Sequence, residues 1–164
     1  MATREAVAIF VVAFVAYALW KRRWAWIVAG GLAVAVVDPL CARVIKPLAG
    51  RDRPCREVEG VQTPHGCGAA LAMPSIHAAT TAAIAGATGL PVLAGVSLIT
   101  GASRVVTGQH WPSDVLVGWI VGGAIGGAIG RGVGGATRAG MRAAMGRARR
   151  GRGRKSPPAD APVD

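Results

Sequence analysis

Ser103-Arg104-Val105-Val106-Thr107-Gly108-Gln109-His110-Trp111-Pro112-Ser113-Asp114 lies between two apolar runs and decides how the rest of the chain is read. Arg104 is a permanent cation whose fork of N–H groups can grip a phosphoryl group by two parallel hydrogen bonds. His110 can be neutral near pH 7 and so can serve as a nucleophile. Asp114, four residues on, is close enough to hold the other ring nitrogen. Pro112 suits the first turn of a helix, where its missing N–H costs nothing. The expectation is a helix beginning at Pro112, with His110 just before it and Asp114 in its first turn. Taken alone, the stretch reads equally well as a polar corner between helices at a water interface.

The 164 residues suffice for one domain. Hydrophobic residues make up 52% and charged residues only 16%, and the apolar ones come in blocks, which points to membrane spans rather than a soluble core. A net charge of +11 would suit nucleic acid, but nine of the 19 Lys and Arg residues lie between Arg131 and Lys155, after the last apolar run and without stacking aromatics. Beside a span, such a tail reads as an anchor on anionic lipid. The bilayer is therefore an expected partner and nucleic acid is not.

Outward from the opening stretch, spans are expected at about 5–20, 24–45, 75–90, 91–107 and 112–131, an all-α integral membrane bundle of about five helices. Trp20, Trp24 and Trp26 cluster around Lys21-Arg22-Arg23 as at a cytoplasmic interface. Asp38, near the end of the second run, is an ionisable residue at depth; pairing with Arg43 or Lys46 for packing is its favoured reading. Residues 46–73 are polar and loop-like. The later runs, rich in Ala, Thr and Gly, suit burial among other helices more than contact with lipid. Glycines at 118, 122, 126 and 130 make one smooth helix face. Close packing within the bundle is the preferred use of that face, and a homodimer is the alternative. Residues 132–164 are expected to be a basic, largely disordered cytoplasmic tail.

Five spans with Lys21-Arg22-Arg23 on the cytoplasmic side put the tail there too, in keeping with the positive-inside rule. The 46–74 loop and the 103–114 corner then share the outer face. That layer collects Arg43, Lys46, Arg51, Arg53, Arg56 and Arg104 where the rule disfavours them, and such cations repel unless an anion sits among them. The excess of charge, beside His77 and His110, is what a phosphate site looks like from sequence. Cys41 falls in an apolar run and reads as a packed thiol. Cys55 and Cys67 bracket a short polar loop. A disulfide is the expected state, which needs an oxidising compartment; free thiols or a metal site short of a fourth ligand are the alternatives.

Lys46-x6-Arg53-Pro54, then Pro74-Ser75-Ile76-His77, then Ser103-Arg104-x5-His110-x3-Asp114 resembles the three-part signature of the type 2 phosphatidic acid phosphatases, whose superfamily (PAP2) includes the vanadium haloperoxidases. The segment from Lys46 to His77 looks like bacterial members labelled undecaprenyl-diphosphatase-like. There are two departures from the pattern. Ile76 replaces a usually small residue, and its branched side chain is expected to narrow the site. The family core commonly has six spans rather than five.

The resemblance implies a membrane lipid phosphatase of the bacterial inner membrane, its site on the periplasmic side and its substrate a phosphorylated lipid. His110 would attack phosphorus and form a phosphohistidine, with Asp114 orienting its ring. His77 would protonate the leaving oxygen and then activate water. Lys46, Arg53, Ser75, the backbone of Ile76 and Arg104 would bind the phosphoryl oxygens, with Pro54 and Ser103 as structural parts of the motifs. No metal or cofactor is implied. A polyprenyl diphosphate is the first-choice substrate, with phosphatidic acid, phosphatidylglycerol phosphate and lipid A phosphates as alternatives. A non-catalytic scaffold that kept the motif is the rival reading, and Ile76 is its only support.

Overall fold

The computed structural model describes residues 12–153 apart from 14, 22, 62 and 65, and only the backbone of 148–153. It is all-helical, with no strand among the described residues. Half of the expected first span lies outside the described residues; 12–13 and 15–20 within it are helical. The remaining elements are α1 (Trp24–Leu40), a π-helical turn (Cys41–Ile45), α2 (Lys46–Ala49), α3 (Pro54–Glu57), α4 (Ile76–Thr88), α5 (Pro91–Val106) and α6 (Pro112–Gly153). The stretches Trp24–Glu57 and Pro112–Arg147 contain windows long and apolar enough to cross a membrane, and Pro91–Val106 is a shorter apolar helix.

The short helix α4 is the packing centre. Its Ala78, Ala79, Ala82, Ala83 and Ala87 are all buried, and Ala79, Ala83 and Ala87 form one core with Ala29, Ala33, Val37 and Cys41 from the α1 side. α6 packs against the same row of alanines. A Cβ added at Gly118 would stand 2.7 Å from the Ser75 carbonyl oxygen. Added Cβ atoms at Gly122, Gly126 and Gly130 would run into the backbone of Ala79, Ala83 and Ala87 in turn. The four-residue glycine spacing thus lets two backbones touch within the bundle, which is the preferred sequence reading of that face. By contrast, Val28, Leu32 and Val36 of α1, Val92, Leu98 and Ile99 of α5, and Leu116 and Ile120 of α6 are exposed, as lipid-facing residues should be.

Two expectations are corrected. Asp38 is exposed and makes no ion pair with Arg43 or Lys46 among the described residues. Pro39 follows it inside α1, and the helix then widens into the π-helical turn, a change that Pro-disrupted ladders commonly show. Lys46 is turned into the bundle while Arg43 stays exposed. The second correction is the tail. Instead of losing structure from residue 132, α6 runs unbroken to Gly153. Its 42 residues are about 63 Å long, roughly twice a bilayer's hydrocarbon core. A helix already formed extends at little cost, and the Ala, Arg and Met that follow Arg131 are good helix formers. The expected disorder of residues 156–164 lies outside the described residues.

Candidate active site

Three segments distant in sequence meet at the ends of α1, α4, α5 and α6. Backbone bonds join them: Ala72 N–H donates to Arg51 O at 2.7 Å, Ser75 N–H to Asp114 O at 3.0 Å, and Cys55 N–H to Gly108 O at 3.2 Å. Gly108 permits the last approach. Its φ is +65°, and Val61 packs where a side chain would stand. The Lys46–Pro54, Pro74–His77 and Ser103–Asp114 segments therefore share one site, as the charge layering from sequence anticipates.

His110 sits two residues before α6, and Asp114 is in its first turn, both buried. The Asp114 Oδ2 accepts the Trp111 N–H at 2.8 Å and lies 3.8 Å from His110 Nδ1. Its Oδ1 lies 3.3 Å from Arg51 Nη1, which also donates to Ser113 Oγ at 2.7 Å. The Arg51 guanidinium rests 5.1 Å over the Trp111 ring. Burial, and then the positive charges of Arg53 and Lys46, push the His110 imidazole down to about 3. It is thus a neutral ring in a cationic surrounding.

Lys46 is buried and donates from Nζ to the carbonyls of Leu71 and Ala72, so one of its three N–H groups is left for an anion. Arg53 precedes Pro54, the first residue of α3. It donates Nε–H to Ala70 O at 2.7 Å and Nη1–H to Gln109 Oε1 at 2.6 Å. Ser75 is the N-cap of α4 without a side-chain capping bond, and its Oγ is buried and unpartnered. Ile76 begins α4, where a backbone N–H has no acceptor within the helix. Its side chain packs against the core beneath. His77 follows with an exposed side chain, within electrostatic reach of Arg104, Arg53 and Lys46. Arg104, in the last turn of α5, has a buried Nε with no partner. Ser103 instead turns back, its Oγ donating to Thr100 O at 2.7 Å.

The Cys55–Cys67 pair is bonded, with Cα atoms 5.9 Å apart, which resolves the alternatives left by sequence in favour of the disulfide. Cys41 is a buried free thiol, as expected. Sequence reasoning missed Arg51 and Gln109. Arg51 was visible only as one of several outer-face cations, and Gln109 only as a spacer inside the His110 motif. No sequence signal separates them from their neighbours, because their roles come from contacts across 63 and 56 residues.

The sequence profile described as "PAP2 superfamily" matches residues 24–138. Decaprenylphosphoryl-5-phosphoribose phosphatase of Mycobacterium tuberculosis (strain ATCC 25618 / H37Rv) is 41% identical over 109 residues, covering 63% of this chain and 58% of that protein. The protein of the same name from Mycolicibacterium smegmatis is 36% identical over 102 residues, covering 60% of this chain and 54% of that protein. The chain thus spans little more than half the length of these relatives. Among solved structures, a transmembrane PAP2 type phosphatidylglycerolphosphate phosphatase from Bacillus subtilis superposes with a TM-score of 0.53 at 18% identity, covering 83% of this chain and 70% of that one; this is a likeness of fold. None of these relatives bears the undecaprenyl-diphosphatase label. A helical membrane fold, three signature segments brought to one site, and a profile match across most of the chain agree: this protein belongs to the PAP2 superfamily.

Proposed function

We propose that this chain is a membrane lipid phosphatase that removes a terminal phosphate from a polyprenyl-linked substrate through a phosphohistidine. The observation that carries this is a set of orphaned polar atoms. Ser75 Oγ and Arg104 Nε are both buried with no hydrogen-bond partner among the described residues, while the unpartnered His110 Nδ1 faces Asp114. Buried polar atoms without partners are costly, so a cluster of them in a cationic site calls for an anionic ligand.

His110 Nε2 attacks phosphorus as the bond to the leaving oxygen breaks, and His77 gives that oxygen its proton. His77 then takes a proton from water, which attacks phosphorus and breaks the N–P bond to release phosphate. Asp114 holds the Nδ1 proton and stabilises the charge on the phosphorylated ring. Lys46, Arg53, Ser75, the Ile76 N–H and Arg104 hold the phosphoryl oxygens. Fixed donors aimed at developing charge are the main protein contribution to such transfers.

The names of the mycobacterial relatives favour a phosphate monoester on a polyprenylphosphoryl sugar over the polyprenyl diphosphate expected from sequence. Residues 1–131 form the membrane-embedded phosphatase unit in this reading, with about five spans in the inner membrane. Lys21 and Arg23, and the α6 cations from Arg131 onward, then face the cytoplasm, and the disulfide faces the oxidising side with the site.

Purified protein should release phosphate from a polyprenylphosphoryl-5-phosphoribose in the presence of a chelator, with vanadate inhibiting. A panel containing polyprenyl diphosphate, phosphatidylglycerol phosphate and phosphatidic acid ranks the substrates. Absence of release from every member of the panel would overturn the proposal.

A further inference from the structure

Gln109, in the corner between α5 and α6, joins the site to the segment around Cys67. Its Oε1 accepts from Arg53 Nη1 at 2.6 Å and from the Gly68 N–H at 3.3 Å, while its Nε2 donates to Gly66 O at 2.8 Å. One amide therefore ties the guanidinium of Arg53 to the two residues flanking Cys67. The other side of the guanidinium is held by the same segment, through Ala70 O on Nε. Gly68 lies flat against it: a Cβ there would stand 2.9 Å from the guanidinium carbon. The loop is fastened in turn by the Cys55–Cys67 bond and by Arg56, which donates to the carbonyls of Gly68 and Ala69.

This arrangement uses Nε and Nη1 of Arg53 and leaves Nη2 without a partner among the described residues. A planar fork held on two edges can present only its third to an anion. A long arginine would otherwise lose much rotamer freedom on binding phosphate. We propose that Gln109, Gly68 and the Cys55–Cys67 bond form a clamp that pre-positions Arg53 for the phosphoryl group, so that oxyanion affinity depends on the oxidised state of this loop. Gln109 is a positioning residue that acts through Arg53. The inference rests on the phosphatase reading above.

The test measures vanadate affinity, by tryptophan fluorescence of the detergent-solubilised protein, alongside phosphate release. Gln109→Ala should weaken vanadate binding about tenfold, the scale of a small misplacement of a binding group, and raise KM more than it lowers kcat. Gly68→Ala should give a similar loss, because its methyl would displace the guanidinium from the bonds that hold it. Dithiothreitol should reproduce the loss: its two thiols reduce the bond to two cysteine thiols while it closes to its own cyclic disulfide. Removal of the reductant and reoxidation should restore affinity. In an Arg53→Ala background neither Gln109→Ala nor reduction should weaken binding further, whereas a general loosening of the fold would add to it. Vanadate affinity unmoved by Gln109→Ala and Gly68→Ala in an active, vanadate-sensitive protein would overturn the clamp and leave the phosphatase reading intact. Wild-type protein that neither binds vanadate nor releases phosphate would overturn both.

Discussion

His110 Nδ1 stands 3.8 Å from Asp114 Oδ2, outside hydrogen-bonding distance, while Asp114 itself is fully buried. The carboxylate is engaged elsewhere, by the Trp111 N–H on Oδ2 and by Arg51 on Oδ1. Its position is thus fixed before the imidazole reaches it. In the proposed mechanism the two would draw together when substrate arrives.

His110→Ala should abolish phosphate release while the protein still inserts into membranes and keeps its helical circular dichroism. In the proposed mechanism the side chain carries the covalent step, so losses on the order of a thousandfold or more are expected. Near-normal turnover would refute its assignment as nucleophile.

In the proposed mechanism Asp114→Asn removes the charge that stabilises the phosphorylated ring. A fall in kcat on the order of a hundredfold or more is expected. Arg51→Met should act in the same direction but more weakly, since the Trp111 N–H still holds the carboxylate. Steady-state kinetics of the two variants and their combination measure the coupling; a full kcat in Asp114→Asn would contradict the mechanism.

The folded His110 takes up its proton near pH 3, whereas an unfolded histidine does so near 6.5. Between these values the unfolded chain binds more protons. The stability contributed by the neutral buried ring is therefore complete above about pH 6.5 and is lost as pH falls toward 3. Nitrogen NMR of labelled histidine should show His110 neutral from pH 5 to 8 in the free protein. Bound vanadate, by offsetting Arg53 and Lys46, should raise its pKa. Titration of the free ring near 6.5 would show the surrounding to be neither buried nor cationic.

Arg104→Ala and Ser75→Ala each remove an orphaned donor from the site. Both should weaken vanadate inhibition, Arg104→Ala more strongly because its donor is itself a cation. Unchanged inhibition constants would remove these residues from the phosphate cradle.

Gly126→Val puts a branched side chain against the backbone of Ala83. Overpacking of this kind costs about 1–3 kcal/mol, and here both neighbours are main chain that cannot step aside. The thermal midpoint in detergent should fall clearly, while Gly123→Ala, which meets nothing within 4 Å, should leave it nearly unchanged. Equal midpoints would mean that α4 and α6 do not pack along this face.

Much of this molecule is legible in its sequence because membrane helices announce themselves locally. Apolar runs, the Pro112 start of α6 and the glycine row that receives α4 are short-range patterns, and each reappears in the fold. The signature segments were legible for a similar reason, since phosphate chemistry needs particular side chains at particular spacings. What the tertiary structure decided is everything that depends on where those segments stop relative to one another. Lys46 turned toward two backbone carbonyls, Ile76 toward the core, Asp38 outward, and Arg51 onto Asp114 only once the chain was folded. Periodicity could not foresee α6 continuing through its basic stretch, because charge disfavours burial but not helix. Local pattern assigns a residue to an element; the direction of a buried polar side chain is set by partners dozens of residues away, and these exist only after packing has brought them within reach.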